Sequence, residues 1–309
     1  MPIQPVDKVW MNGKQVPWEE ATVHVLAHAL HYGTGVFEGI RCYETPRGPA
    51  VFRLRDHLER MEDSAKIFMM DLPYSVEELV TATRDLIAVN KMQSCYIRPI
   101  AYRGFGGEMG VNPENNPVDV SIAVWAWGAY LGEDALEHGI RLTVSSWRRH
   151  DPNIIPPQAK VTGAYINSAM AKLEATRNGY DEAVMLNPLG FVSEATGENL
   201  FIVRDGELLT PPLIEGPLPG ITRRSVIDIA RDLGMTVYET PLTRADLYLA
   251  EEMFVTGTAA EVTPVREIDG RMLGEPGPIT QTLQSQFFSI VKGGDEKYFR
   301  WLDFIQEPV

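Results

Sequence analysis

The chain predicts an α+β fold in two domains, on three observations. Strand-length apolar runs fill residues 7–52, two segments over 55–90 carry apolar residues at helical spacing, and a second strand-rich stretch covers 182–210. Lys8–Met11, the Asn12-Gly13 turn and Lys14–Pro17 read as a hairpin, because a two-residue turn with positive φ at both positions selects Asn-Gly. Gly35–Tyr43 and Ala50–Arg53 read as further strands. Arg55–Met70 places Leu58, Met61, Ala65 and Phe68 on one helical face, and Ser75–Asn90 does the same with Val76, Leu79, Val80, Thr83 and Ile87. Ser94–Arg103 and Val118–Trp127 return to strand character around the loop GFGGEMGVNPENNP. The segment GAYLGE, 128–133, joins this portion to the next, so we expect a smaller domain over 1–127, an interdomain loop over 128–135 and a larger domain over 136–309. In that larger domain Ile140–Ser146 reads as a strand. Ala164–Asn178 reads as a helix closed by Gly179, with a small-residue face of Ala164, Ser168, Ala171 and Ala175. Glu182–Leu186, Phe191–Ser193, Asn199–Arg204, the Asp205-Gly206 turn and Glu207–Thr210 read as a β-meander. Helix Thr222–Leu233 and strands Met253–Thr256 and Val262–Ile268 complete the reading.

Composition narrows the function. With 309 residues, 44% hydrophobic and 23% charged, the chain can bury a sizeable core. A net charge of −14 with no basic block argues against nucleic acid and anionic membrane surfaces. Two cysteines, Cys42 and Cys95, are too few for a disulfide framework in a chain of this length, which points to a reducing, cytoplasmic setting. No run of about 18 apolar residues is present, and the MPIQPVDKVWMNG start lacks the basic flank and apolar core of a secretory signal, so neither membrane insertion nor secretion is expected.

The chemistry concentrates in a few segments. Glu194, in SEATGENLF, is a carboxylate between two apolar strands, and its burial demands a cation or several donors. A protonated pyridine ring would serve as that cation, and pyridoxal 5'-phosphate supplies one while needing a lysine to hold it. Lys160, in PPQAKVTGAY and 34 residues earlier, is the candidate; an amine against an apolar wall keeps a larger neutral fraction for attack on a carbonyl. The segment Gly216–Arg223 leads into a helix whose first N–H groups could bind phosphate, although Thr222 could equally be a plain N-cap. Gly257-Thr258-Ala259-Ala260 is a second turn able to present N–H groups to an anion. Neither GxxxxGK[ST] nor a strand-borne GxGxxG occurs, which argues against a nucleotide loop. His24, His28 and His31 stand at i, i+4 and i+7 and could share a helical face, so a metal-dependent hydrolase is the rival from another class; no acid joins them as in HExxH, and no metal is expected. Arg148-Arg149 reads as a solvated loop with room for phosphate or substrate steering.

Taken together, HALHYGTGVFEGIRCY, SCYIRPIAY, WAWGAYLG, PPQAKVTGAY, SEATGENLF, LPGITRRSV and TGTAAEVTPV resemble, in order and over about residues 9–302, the class IV, fold-type IV pyridoxal-phosphate aminotransferases, specifically the bacterial-type branched-chain amino-acid enzymes. The resemblance implies a smaller N-terminal α/β domain and a larger, β-rich pseudo-barrel domain flanked by helices. It makes Lys160 the lysine that bonds the cofactor aldehyde and then shuttles the proton. It places Glu194 at the pyridine nitrogen, Tyr165 at the ring hydroxyl, and Arg60, Leu218, Ile221, Thr222 and Thr258 around the cofactor and its phosphate. It puts the substrate carboxylate against the N–H groups of Thr258 and Ala259 and the hydroxyl of Tyr96. Phe37, Trp127, Tyr130 and Tyr165 would form the walls, and Arg98 with Tyr32 would meet the second carboxylate of glutamate. Tyr32 and the loop bearing Val111 would serve a neighbouring subunit, so the implied assembly is a homo-oligomer, at least a dimer, with a hexamer open. The implied activity is reversible transamination between leucine, isoleucine or valine and 2-oxoglutarate, with a D-amino-acid aminotransferase or an aminodeoxychorismate lyase as the rivals within the fold.

Overall fold

A computed structural model describes residues 3–128 and 131–305, which form two compact units. Among the described residues the first unit holds 3–128, 159–164 and 290–305, and the second holds 131–158 and 165–289. The elements in chain order are strands β1 (Lys8–Met11) and β2 (Lys14–Pro17), helix α1 (His28–Tyr32), strands β3 (Gly35–Phe37), β4 (Ile40–Tyr43) and β5 (Ala50–Phe52), helices α2 (Leu54–Ile67) and α3 (Val76–Val89), and strands β6 (Cys95–Arg103) and β7 (Val118–Trp125). Then come α4 (Glu133–His138), β8 (Ile140–Val144), α5 (Tyr165–Arg177), β9 (Glu182–Leu186), β10 (Val192–Ala195), β11 (Asn199–Arg204) and β12 (Glu207–Thr210). The chain ends with α6 (Ile221–Asp232), β13 (Val237–Glu239), α7 (Arg244–Tyr248), β14 (Glu252–Gly257), β15 (Glu261–Ile268), β16 (Arg271–Met272), α8 (Pro278–Val291) and β17 (Leu302–Phe304).

In the first unit a sheet runs β17-β5-β4-β6-β7-β1-β2, with β3 also paired to β6. Asn12 and Gly13 have φ of 46° and 83°, the left-handed conformations that the β1–β2 turn requires. Helix α3 starts at a capping box in which Ser75 and Glu78 satisfy each other's backbone N–H. Leu58, Met61, Leu79, Leu86 and Ile87 of α2 and α3 are fully buried, as are Ile40, Ile97 and Ile122 of the sheet. Burying one such side chain contributes about 1.5–3 kcal/mol. Gly35–Tyr43 is two strands rather than one. The break falls at Glu38 and Gly39, where the Glu38 carboxylate turns inward to His57 and Arg60.

In the second unit the sheet order is β10-β9-β8-β15-β14-β11-β12-β13, with β16 on β15. Pairing is parallel for β8 with β9, β8 with β15 and β12 with β13. The expected meander is therefore divided: β10 is an edge strand, and β11 pairs with β14 and β12 rather than with β10. Because β10 and β11 follow one another in the chain through residues 196–198, the six strands from β10 to β11 curl back on themselves as a half-barrel. Its interior is filled by Leu142, Val144, Val184, Leu200, Ile202, Met253 and Val255. The small face of α5 is buried through Ser168, Ala171 and Ala175, and the two alanines pack on Ala183 and Met185 of β9.

The units differ from the sequence-based division in two places. Residues 159–164 and the C-terminal segment from Ile290 belong with the first unit, and β17 pairs there with β5. Both depend on long-range pairing that local patterning does not encode.

Candidate active site

Lys160 is strapped into the first unit by its backbone. Its N–H donates to Ser64 Oγ on α2 at 3.0 Å, and its carbonyl accepts from the N–H of Phe37 at 3.0 Å. Next to it Val161 bridges to Val36, and the N–H of Gly163 donates to the carbonyl of Gly33 at 3.1 Å. Gly33 has φ of +67°, and a Cβ there would collide with the backbone of Gly163, so this approach needs glycine. The half-buried Lys160 Nζ lies 5.0 Å from the centre of the Phe37 ring.

The same ring carries a second cation. Arg98 on β6 lies 5.0 Å from Phe37, 5.2 Å from Tyr96 and 5.9 Å from Trp125, and its Nη2 donates to Tyr96 Oη at 3.2 Å. Tyr96 meets Trp127 edge-on with centroids 4.5 Å apart. Arg41 Nη2 donates to the carbonyls of Trp127 and Gly128, holding the strand exit in place. Arg98 Nε and Trp125 Nε1 are buried without hydrogen-bond partners, so this aromatic basin retains unused donors. Phe37, Tyr96, Arg98, Trp127 and Lys160 thus belong to one neighbourhood, whereas Tyr130 lies outside the described residues.

Arg60 stands one helical turn before Ser64 on α2. Its Nε and Nη2 grip the fully buried Glu38 at 2.7 and 2.8 Å, and His57 Nδ1 donates to the same carboxylate at 2.7 Å. Burial alone would raise the Glu38 pKa, but Arg60 and His57 outweigh it and hold the carboxyl well below the usual range. Burial pushes the His57 imidazole down despite Glu38, and its Nδ1–H donates to that carboxylate. Ser64 Oγ donates to the Arg60 carbonyl at 2.8 Å while accepting from Lys160, so one helix face sets both cations.

In the second unit Glu194 lies on β10 beside a bulge, 6% exposed. Arg149 Nη2 reaches its Oε1 at 2.6 Å; the N–H of Leu218 donates to Oε2 at 3.0 Å, and Asn199 Nδ2 donates at 3.3 Å. The cation that the carboxylate demanded is therefore at hand as a side chain. Arg149 is 11% exposed in this pair and is not part of a solvated loop. Leu218 gives its N–H to Glu194, and Asn199 closes the group by donating to the Leu218 carbonyl at 3.0 Å. Helix α6 begins at Ile221 with Gly220 as N-cap and no side-chain cap, and Thr222 in its first turn is buried. Thr222 is thus a first-turn residue and not the N-cap. Its N–H and that of Ile221 are among the groups a helix leaves unbonded at its start. Thr258 and Ala259 lie in the turn joining β14 to β15, and Tyr165 is the half-buried first residue of α5.

The histidines do not form a metal site. Only His28 and His31 are helical; His24 stacks on Phe105 with centroids 4.5 Å apart, His31 Nε2 donates to the Val25 carbonyl, and His28 is fully buried with both ring nitrogens engaged. Among the described residues no group of three or more His, Cys, Asp or Glu could hold a metal ion. Glu38, His57, Ser64 and Asn199 escaped the sequence reading, and Arg149 entered it in a different role. Glu38 sits inside HALHYGTGVFEGIRCY, yet nothing local names its partners.

Comparison with known proteins places these groups in context. The family model for class IV amino-transferases matches residues 35–268. The branched-chain-amino-acid aminotransferase of Escherichia coli K12 is 50% identical over 99% of this chain and 100% of its own length. The crystal structure of the E. coli branched-chain amino acid aminotransferase superposes with a TM-score of 0.95 at 50% identity, covering 97% of this chain and all of that one. The T.th. branched-chain amino acid aminotransferase with pyridoxamine 5'-phosphate gives 0.94 at 50% identity, covering 98% of this chain and all of that one. Among the described residues no helix is long and apolar enough to cross a membrane.

Proposed function

The chain belongs to the class IV aminotransferases, and we infer from that membership and from the two groups of residues above that it transfers the amino group of L-leucine, L-isoleucine or L-valine reversibly to 2-oxoglutarate, with pyridoxal 5'-phosphate as cofactor. The observation that carries the assignment is Lys160, fixed by its own backbone with its amine over an aromatic ring. The residues present suit the cofactor. A carboxylate has about four acceptor sites, and Arg149, Leu218 and Asn199 fill three on Glu194, leaving one for a pyridine N–H. The uncapped start of α6, with the Thr222 and Thr258 hydroxyls, offers donors for a phosphate. Tyr165 supplies a hydroxyl for the ring oxygen.

Bound there, the cofactor supplies an aldehyde for the substrate amine and an electron-poor ring that takes up the electron pair of the broken Cα–H bond. Lys160 would hold that aldehyde at rest; once displaced, its free amine would take the proton from the substrate Cα and deliver it to the former aldehyde carbon, and the reverse half-reaction would return it. Glu194 keeps the ring nitrogen protonated. The N–H groups of Thr258 and Ala259 and the Tyr96 hydroxyl take the substrate carboxylate. Phe37 and Trp127 wall the aliphatic side chain, and Arg98, whose Nε has no partner, meets the second carboxylate of glutamate. One pocket serves both amino acids in turn, which makes the kinetics ping-pong.

The working unit is at least a homodimer, in the cytoplasm. Supporting the dimer, Val25, Leu30, Tyr32 and Val111 are between 43% and 79% exposed on the first unit, apolar side chains that a partner would cover. A second copy covering it would receive Tyr32 and Val111 at its pocket. Two reduced cysteines suit the compartment. Borohydride reduction of the loaded enzyme followed by peptide mapping tests the assignment: cofactor mass should appear on the peptide containing Lys160, and Lys160→Ala should lose both that label and turnover with L-leucine. Label on another lysine refutes it.

A further inference from the structure

We propose that His28 is a positioning residue for substrate selection, setting Tyr32 and Val111 relative to each other; this rests on the reading of those two residues as pocket elements. The loop 104–117 is closed at its base by Asn116, whose Nδ2 donates to the Gly104 carbonyl at 3.0 Å, and by the N–H of Gly104 on the Pro117 carbonyl at 2.8 Å. Its tip is otherwise loosely specified. Gly107 and Gly110 have nothing within 4 Å of where a Cβ would stand, and Val111 is 79% exposed. Within one copy, packing therefore does not dictate where the tip presents Val111. The restraint is the Gly110 carbonyl, which lies 2.8 Å from His28 Nε2.

His28 suits this task. It is 0% exposed, and its backbone N–H donates to the Gly104 carbonyl at 3.2 Å. A carbonyl only accepts, so Nε2 carries a proton toward Gly110, while Nδ1 lies 2.7 Å from the Thr34 hydroxyl, which can either donate or accept there. The Gly110 carbonyl thus fixes a proton on Nε2, and the Thr34 hydroxyl holds the other side of the ring. The imidazole also packs on Tyr32, with centroids 4.5 Å apart and planes at 37°. One buried ring therefore touches one of the two selection residues and hydrogen-bonds the neighbour of the other. Nothing in this arrangement needs a metal, which accounts for a histidine that the rejected cluster left without a role.

The test separates the ring from its donor. His28→Phe keeps the packing on Tyr32 and loses both hydrogen bonds; it should raise KM for branched-chain substrates roughly tenfold, the size of one lost buried hydrogen bond, with kcat within about twofold. Hydrogen exchange of residues 107–112 should quicken in the same variant. His28→Gln, which restores a donor, should recover a substantial part of the KM, and Thr34→Val, which removes the partner of Nδ1 and loosens the ring, should shift KM in the direction of His28→Phe but less. Val111→Ala is the control for the underlying reading. If Val111→Ala changes aliphatic selectivity while His28→Phe and Thr34→Val leave KM and exchange unchanged, the role of His28 is overturned. If Val111→Ala changes nothing, the reading of Val111 itself falls.

Discussion

Gly39 joins β3 to β4 beneath the Tyr96 ring, and a Cβ there would overlap Tyr96 Oη. Tyr96 cannot swing away cheaply, because it is 4% exposed and packed against Trp125 and Trp127. Gly39→Ala should therefore fold but move the hydroxyl proposed for the substrate carboxylate, raising KM for both amino donors at least about tenfold. Steady-state kinetics with leucine and glutamate would show this, and an unchanged KM for both would remove Tyr96 from the pocket. The adjacent Glu38 makes the opposite kind of prediction. Glu38→Gln leaves Arg60 partly buried without its counter-charge, a loss of about 3–5 kcal/mol in urea unfolding. Cys42 and Cys95 are cross-strand neighbours, and the hydrogen bond between their thiols together with burial holds the Cys95 thiol well above its ordinary pKa. Both thiols should resist alkylation in the native protein and react after unfolding, as counted by mass spectrometry.

Helix α6 shows how an element serves a site through its start. Gly220, its N-cap, has ordinary φ and ψ, so its glycine is not there for backbone freedom; a Cβ would run into Asn199 Oδ1 and Arg223 Cβ. Asn199 in turn donates to Glu194 and to the Leu218 carbonyl. Gly220→Ala should therefore loosen the proposed phosphate end and the Glu194 end together, weakening cofactor retention by more than about tenfold in equilibrium dialysis. Retention equal to the parent would separate α6 from the cofactor. Elements with strong local periodicity were legible in the sequence: β9, β11 and β12 match the expected ranges, and α2, α3, α5 and α6 begin and end within a few residues of them. Helix α8, the short α1, α4 and α7, and strands β13, β16 and β17 were not read. β17 exists because it pairs with β5, some 250 residues away in the chain, and no local pattern announces such a partner. The same holds at the site. Lys160, Glu194 and Arg98 stand out as costly residues in apolar segments, but Arg149 and Ser64, which hold Glu194 and Lys160, look like surface residues until the chain is folded.

At the scale of the whole molecule, a chain of net charge −14 also buries carboxylates, and the way it tolerates them governs its response to pH. In the second unit Glu182 is fully buried and held by Lys172 at 2.7 Å and by the Thr196 hydroxyl at 2.7 Å. Glu198 is buried nearby with the N–H of Gly197 as a donor at 3.1 Å. Burial first, and the Glu182 charge second, push its pKa up from 4.5 to about 8, so at neutral pH it is protonated in the folded protein and ionised in the unfolded chain. The native state then binds the extra proton, and folding stability contributed by this group is complete below pH 4.5 and falls as pH rises toward 8. One proton corresponds to about 1.4 kcal/mol per pH unit. Two other shifted groups of the first unit leave the interval from pH 7 to 8 clear: lowered Glu38 and His57 pKa values give stability that is lost only as pH falls. Glu198→Gln keeps the neutral shape and removes the titration. Its urea midpoint should stay level between pH 7 and 8 while that of the parent declines, and the parent's decline should level off above pH 8 as Glu198 becomes ionised in both states. Parallel curves would mean that Glu198 is ionised in the native protein and that Lys172 compensates both carboxylates.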